Sequence, residues 1–118
     1  MTQRPWPGDW LRGALELCVL GALAGGPTYG YAIAQRLEQA GVGTVRGGTL
    51  YPLLARLESE GLVDASWRAG DGGPGRKYFT LTPAGRAELT HRAERWEQFV
   101  GATRRLLPDP AQPSREAG

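Results

Sequence analysis

The chain has almost none of the side chains that metal sites and nucleophilic catalysis draw on. Cys18 is its only cysteine and His91 its only histidine among 118 residues. A lone thiol forms no intrachain disulfide, which fits a reducing compartment. One Cys and one His are too few for a zinc site and a poor basis for a nucleophilic pair. Cys18 is expected as a small buried hydrophobe and His91 as a solvated side chain, with no metal and no cofactor. A long apolar run is also missing. Asp9, Arg12 and Glu16 break up the N-terminal region, and Leu17–Leu23 is the longest clean stretch left there. That is too short for a membrane span. It is marginal as the core of a secretory signal, despite Arg4 and the Ala22-Leu23-Ala24 step. A cytoplasmic protein is expected. An excess of one charge is lacking as well: 14 basic and 12 acidic residues give a formal net charge of +2 and a pI of ≈ 9.0. The distribution of charge therefore says more about a partner than the total does. The glycine-rich run Gly70–Gly75 is not a phosphate-cradling loop, because no helix follows it and no P-loop lysine-serine pair is present. With no catalytic arrangement in view, an enzyme is not expected.

What is present is one stretch of strong pattern. The length and the ordinary composition, 41% hydrophobic and 22% charged, suit a single soluble domain with a modest core. Within it, Leu50, Leu53, Leu54 and Leu57 recur at i, i+3, i+4 and i+7, so a helix buries that face. The opposite face carries Thr49, Tyr51, Pro52, Ala55, Arg56 and Ser59: small or hydrogen-bonding groups with one arginine and no acid. Such a face can enter the major groove of DNA. Proline lacks an amide proton and suits only the first turn, so Pro52 places the helix start at about Thr49. With Thr49 as the N-cap, Pro52 is the third helical residue. The bare amides of that first turn favour a nearby phosphate. Gly61 stops the helix.

The remaining chain supplies partners for this helix. Residues 1–9, with Pro5 and Pro7, read as a flexible arm. Asp9 caps a helix over Trp10–Ala24 that is apolar almost all round, and so is buried on more than one side. A second copy of the chain is the economical cover. Thr28 caps a second helix, Tyr29–Ala40, with Ile33 and Leu37 inward, stopped by Gly41. Gly30 is costly there unless another backbone passes closely. Val63–Trp67 and Arg76–Leu81 form a hairpin in which Phe79 and Leu81 share a face with Val63 and Ala65; Trp67 is assigned to the core of this wing. Thr82 with Pro83 opens a last helix running to about Leu107. Leu89, Ala93, Trp96, Val100, Thr103 and Leu107 are spaced 4, 3, 4, 3, 4, an a/d seam. Residues 108–118 read as a disordered tail.

Three helices followed by a hairpin make a winged helix-turn-helix, so the expected fold is mainly α with a two-stranded β-wing. Residues 10–82 form that domain and residues 83–107 a C-terminal dimerisation helix. In this arrangement the third helix reads the major groove and the hairpin tip reaches a backbone or minor groove. The basic residues fall accordingly. Arg46 precedes the reading helix, Arg56 lies on its exposed face, and Arg68, Arg76 and Lys77 flank the wing tip.

Several linked motifs now carry a resemblance. Gly26-Pro27-Thr28-Tyr29-Gly30-Tyr31, Gly48-Thr49-Leu50-Tyr51-Pro52-Leu53-Leu54, Arg56-Leu57-Glu58, Gly61-Leu62-Val63, Gly75-Arg76-Lys77-Tyr78-Phe79-Thr80-Leu81-Thr82 and Gly85-Arg86 stand in the order found in the PadR family of transcriptional regulators. The match runs from about Leu11 to Leu107, and the short length resembles the small subgroup with one C-terminal helix. Gly47 departs from the pattern, since relatives often carry a serine or similar cap there. The resemblance implies a homodimeric DNA-binding regulator, usually a repressor of neighbouring genes or its own. It also implies dimerisation through the last helix and the first, and a response to phenolic or drug-like aromatic compounds.

The candidate DNA contacts are Tyr29, Arg46, Thr49, Tyr51, Pro52, Arg56, Gly75, Arg76 and Lys77. Tyr51 sits beside the leucine stripe and Arg56 and Tyr29 on surfaces, so core and solvated roles compete for them. The candidate dimer interface is Leu11, Leu15, Cys18, Leu89, Ala93, Trp96, Val100, Thr103 and Leu107. Trp10, Trp96 and Phe99 are candidates for a slot taking a small aromatic effector, with plain interface packing as the alternative. The expected partners are palindromic double-stranded operator DNA and a second copy of the chain, with no membrane. Two other readings compete: a winged-helix repressor of a different family, which the Gly-Thr-Leu-Tyr-Pro run argues against, and a protein-interaction module, which the balanced charge keeps open.

Overall fold

A computed structural model describes residues 5–70 and 73–109 of the chain. The elements are α1 (Gly8–Ala22), β1 (Thr28–Tyr29), α2 (Gly30–Gln39), α3 (Gly47–Ser59), β2 (Val63–Gly70), β3 (Gly73–Leu81) and α4 (Pro83–Arg104). The fold is mainly helical with a small antiparallel sheet of order β1-β3-β2. The leucine stripe of α3 closes the core. Leu50, Leu53, Leu54 and Leu57 are buried against Leu15, Val19, Leu20 and Leu23 of the α1 segment, Ile33 and Leu37 of α2, and Val63, Phe79 and Leu81 of the sheet. Full burial of one such leucine stabilises by about 1.5–3 kcal/mol. Truncating Leu54, which is 0% exposed, would also leave a cavity, for about 2–5 kcal/mol in all.

The ends of the elements depart from the sequence expectations in instructive ways. Helix α1 begins at Gly8, with Pro7 as its N-cap and the Pro7 carbonyl accepting from the Trp10 and Leu11 amides. Asp9 is a first-turn residue paired with Arg12 rather than the cap. The segment before it is tethered: the Trp6 indole donates to the Gly41 carbonyl at 2.8 Å and stacks on Trp10. Residues 1–4, the rest of the expected arm, and 110–118, most of the expected tail, lie outside the described residues.

Thr28 does not cap α2. Thr28 and Tyr29 are extended and pair with Phe79 and Tyr78 of β3, a third strand the sequence reading missed. Helix α3 starts at Gly47 after Arg46, so Thr49 is its third residue and not its cap. Pro52 is then the sixth helical residue, past the first turn, and the Gly48 carbonyl loses its intrahelical donor. Both groups sit on the exposed face, where water can serve the carbonyl. The glycine stop holds. Gly61 takes φ 76°, and the Leu62 amide returns to the Leu57 carbonyl at 3.0 Å.

Phe79 and Leu81 share a face with Val63 and Ala65 as expected, in a register that sets Val63 opposite Leu81 and Ala65 opposite Phe79. Trp67 is not wing core, being 72% exposed. It alternates onto the inner face, but the hairpin has by then run past the helices that would cover it. Thr82 caps α4 as expected, its hydroxyl accepting from the Gly85 amide at 2.9 Å and donating to the Gly61 carbonyl at 2.7 Å. No helix among the described residues is long and apolar enough to cross a membrane.

Candidate nucleic-acid interface

The exposed side of α3 is built by default. Its leucines are turned inward, so Gly48, Pro52, Ala55 and Ser59 are left along the opposite ridge, all exposed. The ridge is low because these residues are small, which lets a helix approach a groove floor closely. Tyr51 flanks one side and Thr49 with Arg56 the other.

On the Tyr51 side, three elements converge. The Tyr51 ring lies against Gly30 at the start of α2, where a Cβ would stand 2.6 Å from the ring carbon Cζ. This explains the glycine: a passing side chain, not a passing backbone, needs the space. Beyond Tyr51, a groove of about 510 Å³ is lined by Tyr29, Gly30, Tyr31, Tyr51, Trp67, Arg76 and Lys77. Four of the sequence-derived candidates, Tyr29, Tyr51, Arg76 and Lys77, are thus brought to one place from α3, β1 and β3. Tyr31 and Trp67 join them, 65% and 72% exposed. Sequence reasoning missed both as site residues. Tyr31 lies on the unburied face of α2, two residues after Tyr29. Trp67 carried the signal of strand alternation, but alternation says which face a residue is on and not whether anything covers it.

The wing fixes its cations by stacking. The Arg76 guanidinium lies over the Tyr29 ring at 4.5 Å, and that of Arg68 over Tyr78 at 4.6 Å. Lys77 faces the other side of the sheet, over Phe79, with Glu58 at 3.7 Å. A Cβ on Gly75 would come within 3.0 Å of the Arg68 carbonyl oxygen, so glycine there lets the two strands of the tip close.

On the other flank of α3, Arg56 is already engaged. It donates to Glu16 of α1 at 2.7 Å, and the second oxygen of Glu16 pairs with Arg92 of α4 at 2.8 Å. Arg92 in turn meets Glu88 at 3.2 Å, an i,i+4 pair along α4. Burial pushes the Glu16 carboxyl up, but hydrogen bonds and charge from Arg92 and Arg56 outweigh it and hold the group below its ordinary value. Arg56 therefore stands apart from the Tyr51 groove, tied to α1. Arg46 and Thr49 are exposed at the start of α3, which carries no side-chain cap.

The proposed interface residues divide into two groups. Leu15 is 8% exposed and belongs to the chain's own core, and Leu89 packs against that core. Leu11 and Cys18 are half-buried, and burial pushes the Cys18 thiol up. Ala93, Trp96, Val100 and Thr103 run along α4, where Trp96 is 39% exposed; the helix ends at Arg104, short of the expected Leu107, which lies beyond it and is 62% exposed. Of the candidate effector residues, Trp96 and Phe99 lie against one another with centroids 6.1 Å apart. Trp10 instead stacks on Trp6, at 6.4 Å.

The model of the PadR-like transcriptional regulator family matches residues 19–91. The chain is 38% identical over 92 residues to the transcriptional regulator Rv3488 of Mycobacterium tuberculosis, covering 78% of this chain and 84% of that one. A PadR family transcriptional regulator from Eggerthella lenta superposes with a TM-score of 0.75 at 35% identity, covering 83% of this chain and 85% of that one. A PadR-like regulator from Bacillus cereus gives 0.77 at 31% identity, covering 86% and 99%. The fold is also that of Bacillus subtilis PadR solved with operator DNA, with a TM-score of 0.64 and 24% identity, covering 88% of this chain and 54% of that one. These relatives and this fold are those of regulators, not enzymes. The chain belongs to the PadR-like family of transcriptional regulators.

Proposed function

We propose that the chain acts as a homodimeric, cytoplasmic DNA-binding repressor, with α3 in the major groove of each half of a palindromic operator and the wing on the flanking backbone. The observation that carries this is the convergence of Tyr29, Tyr51, Arg76 and Lys77 on one groove beside the low ridge of α3. Aromatic and cationic groups interleaved next to a helix of small residues suit a sugar-phosphate backbone beside a base-reading element. The operator DNA bound by Bacillus subtilis PadR, a protein of the same fold, supports it. Trp96 and Phe99 form an exposed aromatic pair on α4. A second protomer across α4 would turn that pair into a slot for a planar aromatic effector that relieves repression.

The test is to sequence the DNA retained by the purified protein at moderate salt. An inverted repeat is expected. Arg76→Ala and Lys77→Ala should each weaken binding across all sequences and reduce the salt slope by about one. Retained DNA without a repeat, or no salt-dependent binding, would leave a protein-interaction role instead.

A further inference from the structure

We propose that Glu16 is an intramolecular rival of DNA for Arg56, and that Arg92 of α4 sets the strength of that rivalry by sharing the same carboxylate. The inference rests on the DNA-binding reading above and deepens it. It gives the exposed face of α3 a control that is seated on α1 and α4.

The geometry starts from α3. Arg56 follows Pro52 by four residues, so it stands one turn further along, beside the low ridge to which Pro52 belongs. Both line a cleft of about 400 Å³ between α3 and α1, with Arg12 and Glu16 on the α1 side. Here Nη2 of Arg56 donates to Oε2 of Glu16 at 2.7 Å. The two partners are unequally covered: the Arg56 side chain is 55% exposed and that of Glu16 26%. The arginine is thus the outer member of the pair and the carboxylate the inner one. The other oxygen of Glu16, Oε1, accepts from Nη1 of Arg92 at 2.8 Å. Glu88, one turn earlier on α4, takes Nε of Arg92 at 3.2 Å, which leaves Nη1 for Glu16. Burial works against the charge of Glu16, but hydrogen bonds from Arg92 and Arg56 outweigh it, so the group is a carboxylate at neutral pH.

A carboxylate and a backbone phosphate make the same demand of a guanidinium. Two anions held by one fork repel, so Arg56 meets a phosphate at the expense of its bond to Glu16. DNA can break that bond, because both partners are partly solvated and pairs of that kind are weak. The bond is also divided. Arg92 offsets part of the charge that Glu16 presents to Arg56, and it repels Arg56 as well. A shift of α4 that withdrew Arg92 would leave Glu16 to Arg56 alone and tighten the hold. A shift that pressed Arg92 onto Glu16 would loosen it. Packing on α4 therefore reaches the α3 face through one carboxylate, and neither Glu16 nor Arg92 has to touch the duplex.

The experiment measures binding of the full-length protein to the duplex it selects, over a range of salt. The variants are Glu16→Gln, Arg56→Gln, Arg92→Gln and the two doubles that contain Glu16→Gln. Circular dichroism checks folding in each. Glu16→Gln is expected to strengthen binding about two- to five-fold, the worth of a partly exposed pair. Arg56→Gln should cost little in the wild-type background, where leaving Glu16 cancels much of what Arg56 gains. In the Glu16→Gln background it should cost about ten-fold and lower the salt slope by about one. Arg92→Gln should weaken binding about two-fold alone and have no effect once Glu16 is gone, the non-additivity of groups that act through one partner. Glu16→Gln without a gain overturns the rivalry and leaves the DNA-binding reading intact. A gain that persists in the Glu16→Gln, Arg56→Gln double assigns it to net charge, and also overturns it. An Arg92→Gln loss that is equal with and without Glu16 overturns the part given to Arg92. Wild-type protein that shows no salt-dependent binding overturns both the rivalry and the reading beneath it.

Discussion

A Cβ on Gly85 would overlap the backbone carbonyl oxygen of Leu62. The reason is the docking of α4: the Thr82 amide donates to that same carbonyl, and the Thr82 hydroxyl to Gly61. Backbone lies against backbone, and neither side can yield without breaking the cap. Gly85→Ala is therefore expected to destabilise by about 2–4 kcal/mol, read as a lower urea midpoint with an unchanged slope. Gly30 is the contrasting case. There the obstacle is the Tyr51 ring, itself 52% exposed and able to turn away. Alanine also gains about 0.5–1 kcal/mol of helix propensity over glycine, which offsets part of the displacement. Gly30→Ala should shift the unfolding free energy by less than about 1 kcal/mol yet weaken DNA binding, because Tyr51 leaves the groove. Wild-type affinity in this variant would take Tyr51 out of the contact set. The sequence marked both glycines as parts of motifs. It could not tell them apart, because the difference lies in what passes near them from distant parts of the chain.

Among elements, the tie that matters is Glu16. One carboxylate on α1 holds Arg56 of α3 and Arg92 of α4, so these two helices meet through it. Its folded pKa is depressed, with burial opposed and outweighed by the two arginines. For a depressed carboxylate the sign is fixed: the stability it gives is present above the ordinary glutamate value of about 4.3 and is lost as pH falls through the folded value. The groups are partly solvated, so about 0.5–1 kcal/mol is at stake. Urea unfolding of wild type at pH 7 and again below pH 4 should show this loss, and Glu16→Gln should show a smaller pH dependence than wild type. Equal pH dependence in the two would mean that Glu16 gives no net stability. This network explains what was and was not legible. The leucine stripe of α3, the shared face of Val63, Ala65, Phe79 and Leu81, and the Thr82 cap follow from local periodicity and local chemistry, and all are present. Arg56 sits on an exposed face as expected, but its partner is 40 residues away and no spacing rule reaches that far. β1 was missed for the same reason: a two-residue strand has no period of its own, and only its pairing with β3 defines it.

At the scale of the whole molecule, α4 and the residues after it leave large apolar side chains uncovered. Trp96 and Phe99 on α4 are 39% and 60% exposed, and Leu106 and Leu107 just past its end 87% and 62%, a large apolar surface to leave to water. Helix α1 adds to it, because Leu15, Val19 and Leu20 face the core while Trp10 remains 65% exposed. A twofold axis along the Ala93-Trp96-Val100-Thr103 line would bury the seam against its own copy and set the distance between the two α3 helices. Val100→Glu tests this at a position outside the groove and outside the chain's own core. In a twofold interface the substitution places two buried carboxylates near one another without partners, which is strongly unfavourable. Sedimentation should then show a monomer with the circular dichroism of the wild type. DNA affinity should fall by about 10²–10⁴, because a monomer binds one half-site without the effective concentration that the dimer supplies to the second. A Val100→Glu protein that stays dimeric moves the axis off this seam. One that becomes a monomer but keeps full affinity would separate dimerisation from DNA recognition.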